Sequence, residues 1–285
     1  MTDPTRITRR CLLGAALAAP VLRSAAAAKI RIGVTDWNLR KGADPASVEL
    51  AASIGFDGVE ISFGRKTDDG RMPVDRPEAL AAYKSALQKH KIAIAGTCVD
   101  RLHVNCLAND PESARWVRDS IRLTRELGAK VLLLPFFGDC ELKTRADLTG
   151  VAAALKALAR EAAGQGVTLG LENTISAENN ARILDEVNSE GLKVYYDPGN
   201  SMNWGHDPYK ELRWLGAARI CQIHIKDNPH YLGEGLLRWP ELLQMIVEIG
   251  FEGFANLETS SPSGDVGADM RRNLRYIRAE MNKLS

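Results

Sequence analysis

The chain has 285 residues, 45% hydrophobic and 26% charged, with a formal net charge of +1. That size fits one large globular unit or two modest ones, and no linker or low-complexity tract after residue 28 marks a division. The near-neutral balance excludes the strongly basic surface of a protein whose main partner is nucleic acid.

Residues 1–28 differ from the rest. Thr8, Arg9 and Arg10 precede an apolar run at 11–22 that is too short to span a membrane, and Arg23 leads into an alanine-rich stretch with small-residue cleavage sites. In that order these features predict a twin-arginine export signal over 1–28, cleaved near Ala28, a mature domain at 29–285 without a membrane span, and a periplasmic or exported destination. Cleavage removes four arginines and Asp3, leaving 33 basic and 35 acidic residues, a net charge of −2. The mature cysteines are Cys98, Cys106, Cys140 and Cys221. None stands in Cys-x-x-Cys spacing, so no zinc knuckle is indicated and no pairing is specified, although export permits a disulfide.

From residue 30 onward, short apolar runs alternate with longer helical patterns. The runs predict strands at 30–36, 57–62, 92–98, 130–135, 167–172, 192–197, 219–225 and 253–258. The patterns between them predict helices at 45–54, 76–90, 111–127, 145–164, 179–189, 208–216, 238–249 and 266–282. Several open on Asp-Pro or Arg-Pro, and several end before Gly55, Gly128, Gly191 or Gly250. Eight strand–helix units over about 250 residues predict an α/β fold of the (β/α)8 TIM-barrel type. A doubly wound sheet would usually carry a glycine-rich phosphate loop after its first strand, and residues 34–42 contain none.

Side chains alternate faces along a strand, and barrel active sites lie at the C-terminal strand ends. On one parity the strand ends carry Glu60, Glu172, Asp197, His224 and Glu258, while Leu169, Leu171, Val194, Tyr196, Ile223, Ile225, Ala255 and Leu257 take the other face toward the helices. A single histidine such as His224 is more often a satisfied core residue than a ligand. Four consecutive strands delivering Glu172, Asp197, His224 and Glu258 to one rim are hard to ascribe to chance. Three carboxylates and an imidazole would repel and perturb one another unless a cation sat among them. Hard oxygens with one nitrogen suit Mn²⁺, the ion expected here, and also Mg²⁺, Co²⁺, Fe²⁺ or Zn²⁺.

The segments GLENT, YYDPGN, IHIKD, LGEGLLRW and NLETS resemble those of the xylose isomerase-like TIM barrels, the sugar phosphate isomerase/epimerase group, over roughly residues 30–282. The resemblance to its ketose 3-epimerases implies that Glu172, Asp197, His224 and Glu258 hold the metal, that Glu172 and Glu258 double as the acid/base pair, and that Glu178 contacts a substrate hydroxyl. Two positions depart from that pattern. Asn200 stands where those enzymes have a histidine, so it can hydrogen-bond substrate but not titrate, and only Lys226 and Arg238 offer a cation in place of an arginine. Lys226 either binds an oxygen of the substrate or pairs with Asp227 or another carboxylate. Glu60, His103 and Trp37 complete the expected substrate contacts; Phe136, Phe137, Trp204 and His230 also fall on or beside the rim loops. Residues 228–235 read as either a mobile lid or a tight loop.

The implied chemistry is proton abstraction beside a carbonyl through an enediolate, giving epimerisation or aldose–ketose isomerisation. Loss of a β-hydroxyl from the same intermediate would make the protein a dehydratase of a keto-sugar or inosose. An endonuclease-like phosphodiesterase would need more histidines than the five present and a basic groove. An exported sugar-binding protein would not need a proton-transfer pair. Twin-arginine signals carry folded proteins, so a weakly held ion would be loaded before export, and an exported enzyme would meet an unphosphorylated sugar or a glycoside-derived substrate, since phosphosugars are cytoplasmic metabolites. A homo-oligomer and a partner sugar dehydrogenase supplying a keto-sugar are further expectations.

Overall fold

The computed structural model of the protein describes residues 29–65 and 69–284; the export signal expected over 1–28 lies outside the described residues. Eight parallel strands close into a barrel in chain order: β1 (Ile30–Thr35), β2 (Gly58–Ser62), β3 (Ala93–Cys98), β4 (Val131–Pro135), β5 (Thr168–Glu172), β6 (Leu192–Tyr196), β7 (Ile220–Ile225) and β8 (Gly253–Leu257). The closing pair is β1 with β8, in register from Ile30↔Gly253 to Val34↔Leu257. Every strand begins and ends within one residue of its predicted bounds.

The helices are α1 (Ala46–Ile54), α2 (Pro77–His90), α3 (Ser113–Glu126), α4 (Arg145–Gly164), α5 (Ala177–Val187), α6 (Pro198–Asn203), α7 (Pro208–Arg219), α8 (Trp239–Glu248) and α9 (Val266–Asn282). Local chemistry sets where they start. Thr144 and Asp147 form a reciprocal capping box at the head of α4, and Asp207 and Asp265 cap α7 and α9. Helix α3 starts two residues later than expected and α7 runs three residues further, past Gly216; α5 and α6 depart for reasons of capping. Helix α5 starts at Ala177, two residues early, because Ser176 accepts the Asn179 backbone N–H as its cap. The short α6 follows β6 where the sequence pattern predicts no element; Asp197 caps it by accepting from the Gly199 and Asn200 amides at 2.7 and 3.0 Å.

The outward strand residues, such as Leu169, Leu171, Ile223, Ile225 and Leu257, are fully buried under the helices. Each contributes roughly 1.5–3 kcal/mol by leaving water. The barrel interior is polar by comparison: Glu60, Tyr195, Gln222, His224 and Asn256 are all buried inside it. Small residues make the room. A Cβ on Gly33 would lie 2.0 Å from Asn256 Oδ1, so β1 admits only glycine beside that amide.

Cys106 and Cys140 form a disulfide with their Cα atoms 5.0 Å apart, tying the loop after β3 to the loop after β4. Cys98 and Cys221 are free thiols.

Candidate metal centre

The ends of β5, β6, β7 and β8 bring Glu172, Asp197, His224 and Glu258 together, with one donor atom from each lying within 4.8 Å of the others. The imidazole is the hub. His224 Nδ1 is 3.0 Å from Glu172 Oε1, 3.5 Å from Glu258 Oε2 and 3.8 Å from Asp197 Oδ2. Its other nitrogen, Nε2, points down the barrel to Glu60 Oε2 at 3.1 Å.

Both ring nitrogens thus face carboxylates. Burial alone would depress the His224 pKa, but the charges of Glu258 and Glu172 and the hydrogen bonds to Glu172 and Glu60 lift it well above the ordinary value. These surroundings favour the protonated ring. Removing the Nδ1 proton would aim a lone pair at three carboxylates, an arrangement that is favourable only with a cation between them. The donor set fits a divalent ion: three hard carboxylates and one imidazole around a common point.

Lys226 brings a positive charge to the same carboxylates. Its Nζ lies 2.8 Å from Glu258 Oε2 and 2.7 Å from Asp197 Oδ2. Asp197 Oδ2 is buried and meets only this ammonium and the His224 ring among the described residues. Arg238 is turned away, paired with Glu241 and stacked on Tyr209.

The two glutamates are in unlike surroundings. Burial pushes the Glu172 carboxyl up to about 7, against the pull of His224 and Lys226. Burial also pushes Glu258 up, but the charges on His224 and Lys226 and hydrogen bonds from Lys226 and Trp37 outweigh it and hold Glu258 below the usual carboxylate range. Trp37 Nε1 donates to Glu258 Oε1 at 3.0 Å, and Asn200 Nδ2 donates to Glu172 Oε1 at 3.1 Å.

A cavity of about 350 Å³ opens above these groups. Trp37, His103, Phe137, Glu172, Asn200, Lys226 and Glu258 line it, joined by Arg65, Cys98 and Asp100, which the sequence pattern did not single out. His103 stacks on Phe137, with ring centroids 6.1 Å apart, and burial followed by the nearby Arg65 charge lowers its pKa to about 4. His103 is thus a neutral wall of the pocket.

Two expected substrate contacts lie elsewhere. Glu60 is fully buried beneath His224, where its Oε2 accepts from Tyr195 Oη at 2.8 Å and Asn256 Nδ2 at 3.1 Å. It faces the imidazole and not the cavity. Glu178 is exposed in the first turn of α5 and lines no cavity near the rim; with the helix starting at Ala177, its carboxylate serves the helix N-terminus. The 228–235 segment is a tight loop and not an open lid, because Asp227 sits inside it and accepts from the Gly233, Gly235 and Leu237 amides. Strand parity could have found Tyr195 and Asn256, since both share the inner face with Asp197 and Glu258.

The fold and this site together define a (β/α)8 barrel with a buried carboxylate–imidazole cluster at its C-terminal rim. A family model described as xylose isomerase-like TIM barrel matches residues 48–280. The chain belongs to the xylose isomerase-like TIM-barrel family. It is 27% identical over 201 residues to a 2-epi-5-epi-valiolone 7-phosphate 2-epimerase of Actinoplanes sp., covering 70% of this chain and 73% of that protein. Its fold is similar to that of an L-ribulose 3-epimerase, with a TM-score of 0.73 at 18% identity over 90% of this chain and 95% of the other. It is similar also to a 3-keto-D-glucoside 4-epimerase of Escherichia coli, with a TM-score of 0.71 at 18% identity over 88% of this chain and the whole of the other.

Proposed function

We propose that the protein is a divalent-metal-dependent sugar epimerase or isomerase that works by moving a proton beside a carbonyl. The observation that carries this reading is the unlike pair Glu172 and Glu258 on one cavity. Two carboxylates that reach one cavity from different strands, beside a possible ion site, can take a proton on one side and return it on the other. The named relatives, all epimerases, favour epimerisation.

Glu172, Asp197, His224 and Glu258 would hold the ion, with Mn²⁺ proposed and Mg²⁺, Co²⁺, Fe²⁺ or Zn²⁺ compatible with the same donors. When bound, a divalent ion polarises the carbonyl and neighbouring hydroxyl of the sugar and supports the charge that develops as the C–H proton leaves. Glu258, ionised and steadied by Trp37 and Lys226, is the base that takes that proton. Glu172, which reaches the same cavity from β5, is the group that returns a proton to carbon. Delivery by a second carboxylate inverts the centre. Asn200 keeps the Glu172 carboxyl oriented, while His103 and Phe137 wall one side of the cavity against water.

The test is solvent-deuterium incorporation into ketoses, 3-keto sugars and inososes, with Mn²⁺ and after EDTA. Metal-dependent label beside a carbonyl, in a product of unchanged composition, is the expected result. A dehydrated product would reassign the protein as a lyase, and no label in any substrate despite bound metal would overturn the proton-transfer roles.

We also propose export through the 1–28 signal. The Cys106–Cys140 disulfide supports it, since such bonds persist in oxidising compartments. N-terminal sequencing of the protein from a periplasmic fraction tests this, with a start near Lys29 expected and an intact Met1 refuting it.

A further inference from the structure

A second cavity, of about 220 Å³, adjoins the first and shares Asn200 and Lys226 with it. Its far wall is the loop between β7 and α8, which contributes Pro229, His230, Leu236 and Leu237; α6 contributes Met202 and Asn203. This wall is built, not incidental. Asp227 fixes the loop through three backbone amides, and Gly235 is required there, because a Cβ would lie 2.1 Å from Asp227 Oδ1.

The lining has the chemistry of a binding surface for an uncharged group. Leu236 is 78% exposed and the most exposed of the large hydrophobic residues in the described chain, although the loop that carries it is tightly held. Trp204, 55% exposed, ends α6, the helix that contributes Met202 and Asn203 to the cavity. Isolated exposed hydrophobes are ordinary, but an exposed leucine that lines a cavity with Met202, Pro229 and Leu237 forms an apolar binding wall. Asn203 and His230 make no side-chain hydrogen bond to any described residue and are left to serve a ligand. The charged groups present are already engaged: Lys226 by Asp197 and Glu258, and Asp227 by the loop amides. A phosphate here would find no free cation and would face the Asp227 carboxylate.

We infer that the substrate is a glycoside: the ring that reacts occupies the metal-side cavity, and a glycosidically linked, uncharged sugar or aryl group lies in the second cavity against Met202, Pro229, Leu236 and Leu237, with Asn203 and His230 offering hydrogen bonds. Asn200 and Lys226, common to both cavities, flank the junction. This inference rests on the proposed sugar chemistry and adds the substrate class to it. A free monosaccharide would leave the second cavity to water, and a sugar phosphate would find its one cation, Lys226, already paired.

The experiment measures deuterium exchange by the intact Mn²⁺-loaded protein on 3-keto-D-glucose, both anomers of its 4-nitrophenyl glycoside, and its 6-phosphate. The expected result is at least a tenfold higher kcat/KM for one glycoside than for the free sugar, carried by KM, with the 6-phosphate no better than the free sugar. Leu236→Asp, at a site exposed enough to leave the fold intact, abolishes the glycoside advantage; Trp214→Ser, on the outer surface of α7, preserves it. Equal kcat/KM for free sugar and both glycosides, a preference for the phosphate, or an advantage that survives Leu236→Asp would overturn the inference while leaving the sugar chemistry standing. No exchange on any of these would instead remove the underlying functional reading.

Discussion

Glu60→Gln isolates the charge beneath the proposed metal ligand. Glu60 is fully buried, and its Oε2 is 3.1 Å from His224 Nε2. Glutamine keeps the shape and an acceptor for His224, Tyr195 and Asn256 but loses the negative charge. A charge-assisted bond is worth about 1.5–3 kcal/mol and a neutral one about 1, so the imidazole loses on the order of 1–1.5 kcal/mol of support as a donor. Metal affinity should fall about tenfold, at the lower end of what outer partners of metal-bound histidines usually contribute. The same carboxylate also raises the His224 pKa in the metal-free protein, and a proton competes with the ion. The defect should therefore be largest at pH 8 and shrink toward pH 6. Isothermal titration with Mn²⁺ at both pH values, with thermal melts to confirm folding, reads this out. An unchanged Kd at pH 8, or a defect that grows as the pH falls, would refute the argument that Glu60 acts through His224.

Metal binding itself should be pH-dependent. Glu172, raised to about 7 mainly by burial, and His224, whose surroundings favour the protonated ring, must both lose protons to bind an ion. Affinity should therefore rise with pH through about 7, by roughly tenfold per unit for each proton displaced, with proton release visible in buffers of different ionisation enthalpy. Glu258→Gln at saturating Mn²⁺ should lower exchange by about 10²–10⁴-fold, the range for a lost acid or base, whereas a binding-only protein would retain its sugar affinity and have no turnover to lose. Lys226→Met strips the ammonium from two buried carboxylates and should cost about 3–5 kcal/mol in the metal-free protein, with added Mn²⁺ restoring part of the melting temperature. Reducing Cys106–Cys140, which spans 34 residues, should destabilise the protein by about 2–4 kcal/mol in chemical denaturation, and no change on reduction would show that the bridge does not constrain the unfolded chain.

Much of this molecule follows from local patterns. Each strand of a parallel barrel is buried on both faces, so it reads as a short apolar run, and eight such runs with helices between them allow few other topologies. Alternation then separates Leu169 and Leu171 from Gly170 and Glu172, and Ile223 and Ile225 from Gln222 and His224. That is why the four ligand candidates were legible before any coordinates. Trp37 was legible as a rim residue, two positions past the end of β1, and Asn200 through the family resemblance, three positions past Asp197.

What alternation leaves open is height along the barrel axis and the course of the loops. Glu60 shares the inward parity of Glu172, but the stagger of the strands and the register shift between β2 and β3 at Val59/Glu60 set it below His224, where it supports the imidazole and does not meet the cavity. Glu178 lies six residues after Glu172 in sequence, yet the Ser176 cap starts α5 early and turns it to solvent. The Cys106–Cys140 bridge, the Asp227-centred loop and the second cavity join residues that are distant in sequence or depend on backbone amides, and neither leaves a periodic trace. Composition and period thus determined the barrel and the donors at its rim; closure, stagger and loop packing decided which donors meet, which carboxylate lies underneath, and how much space stands beside them.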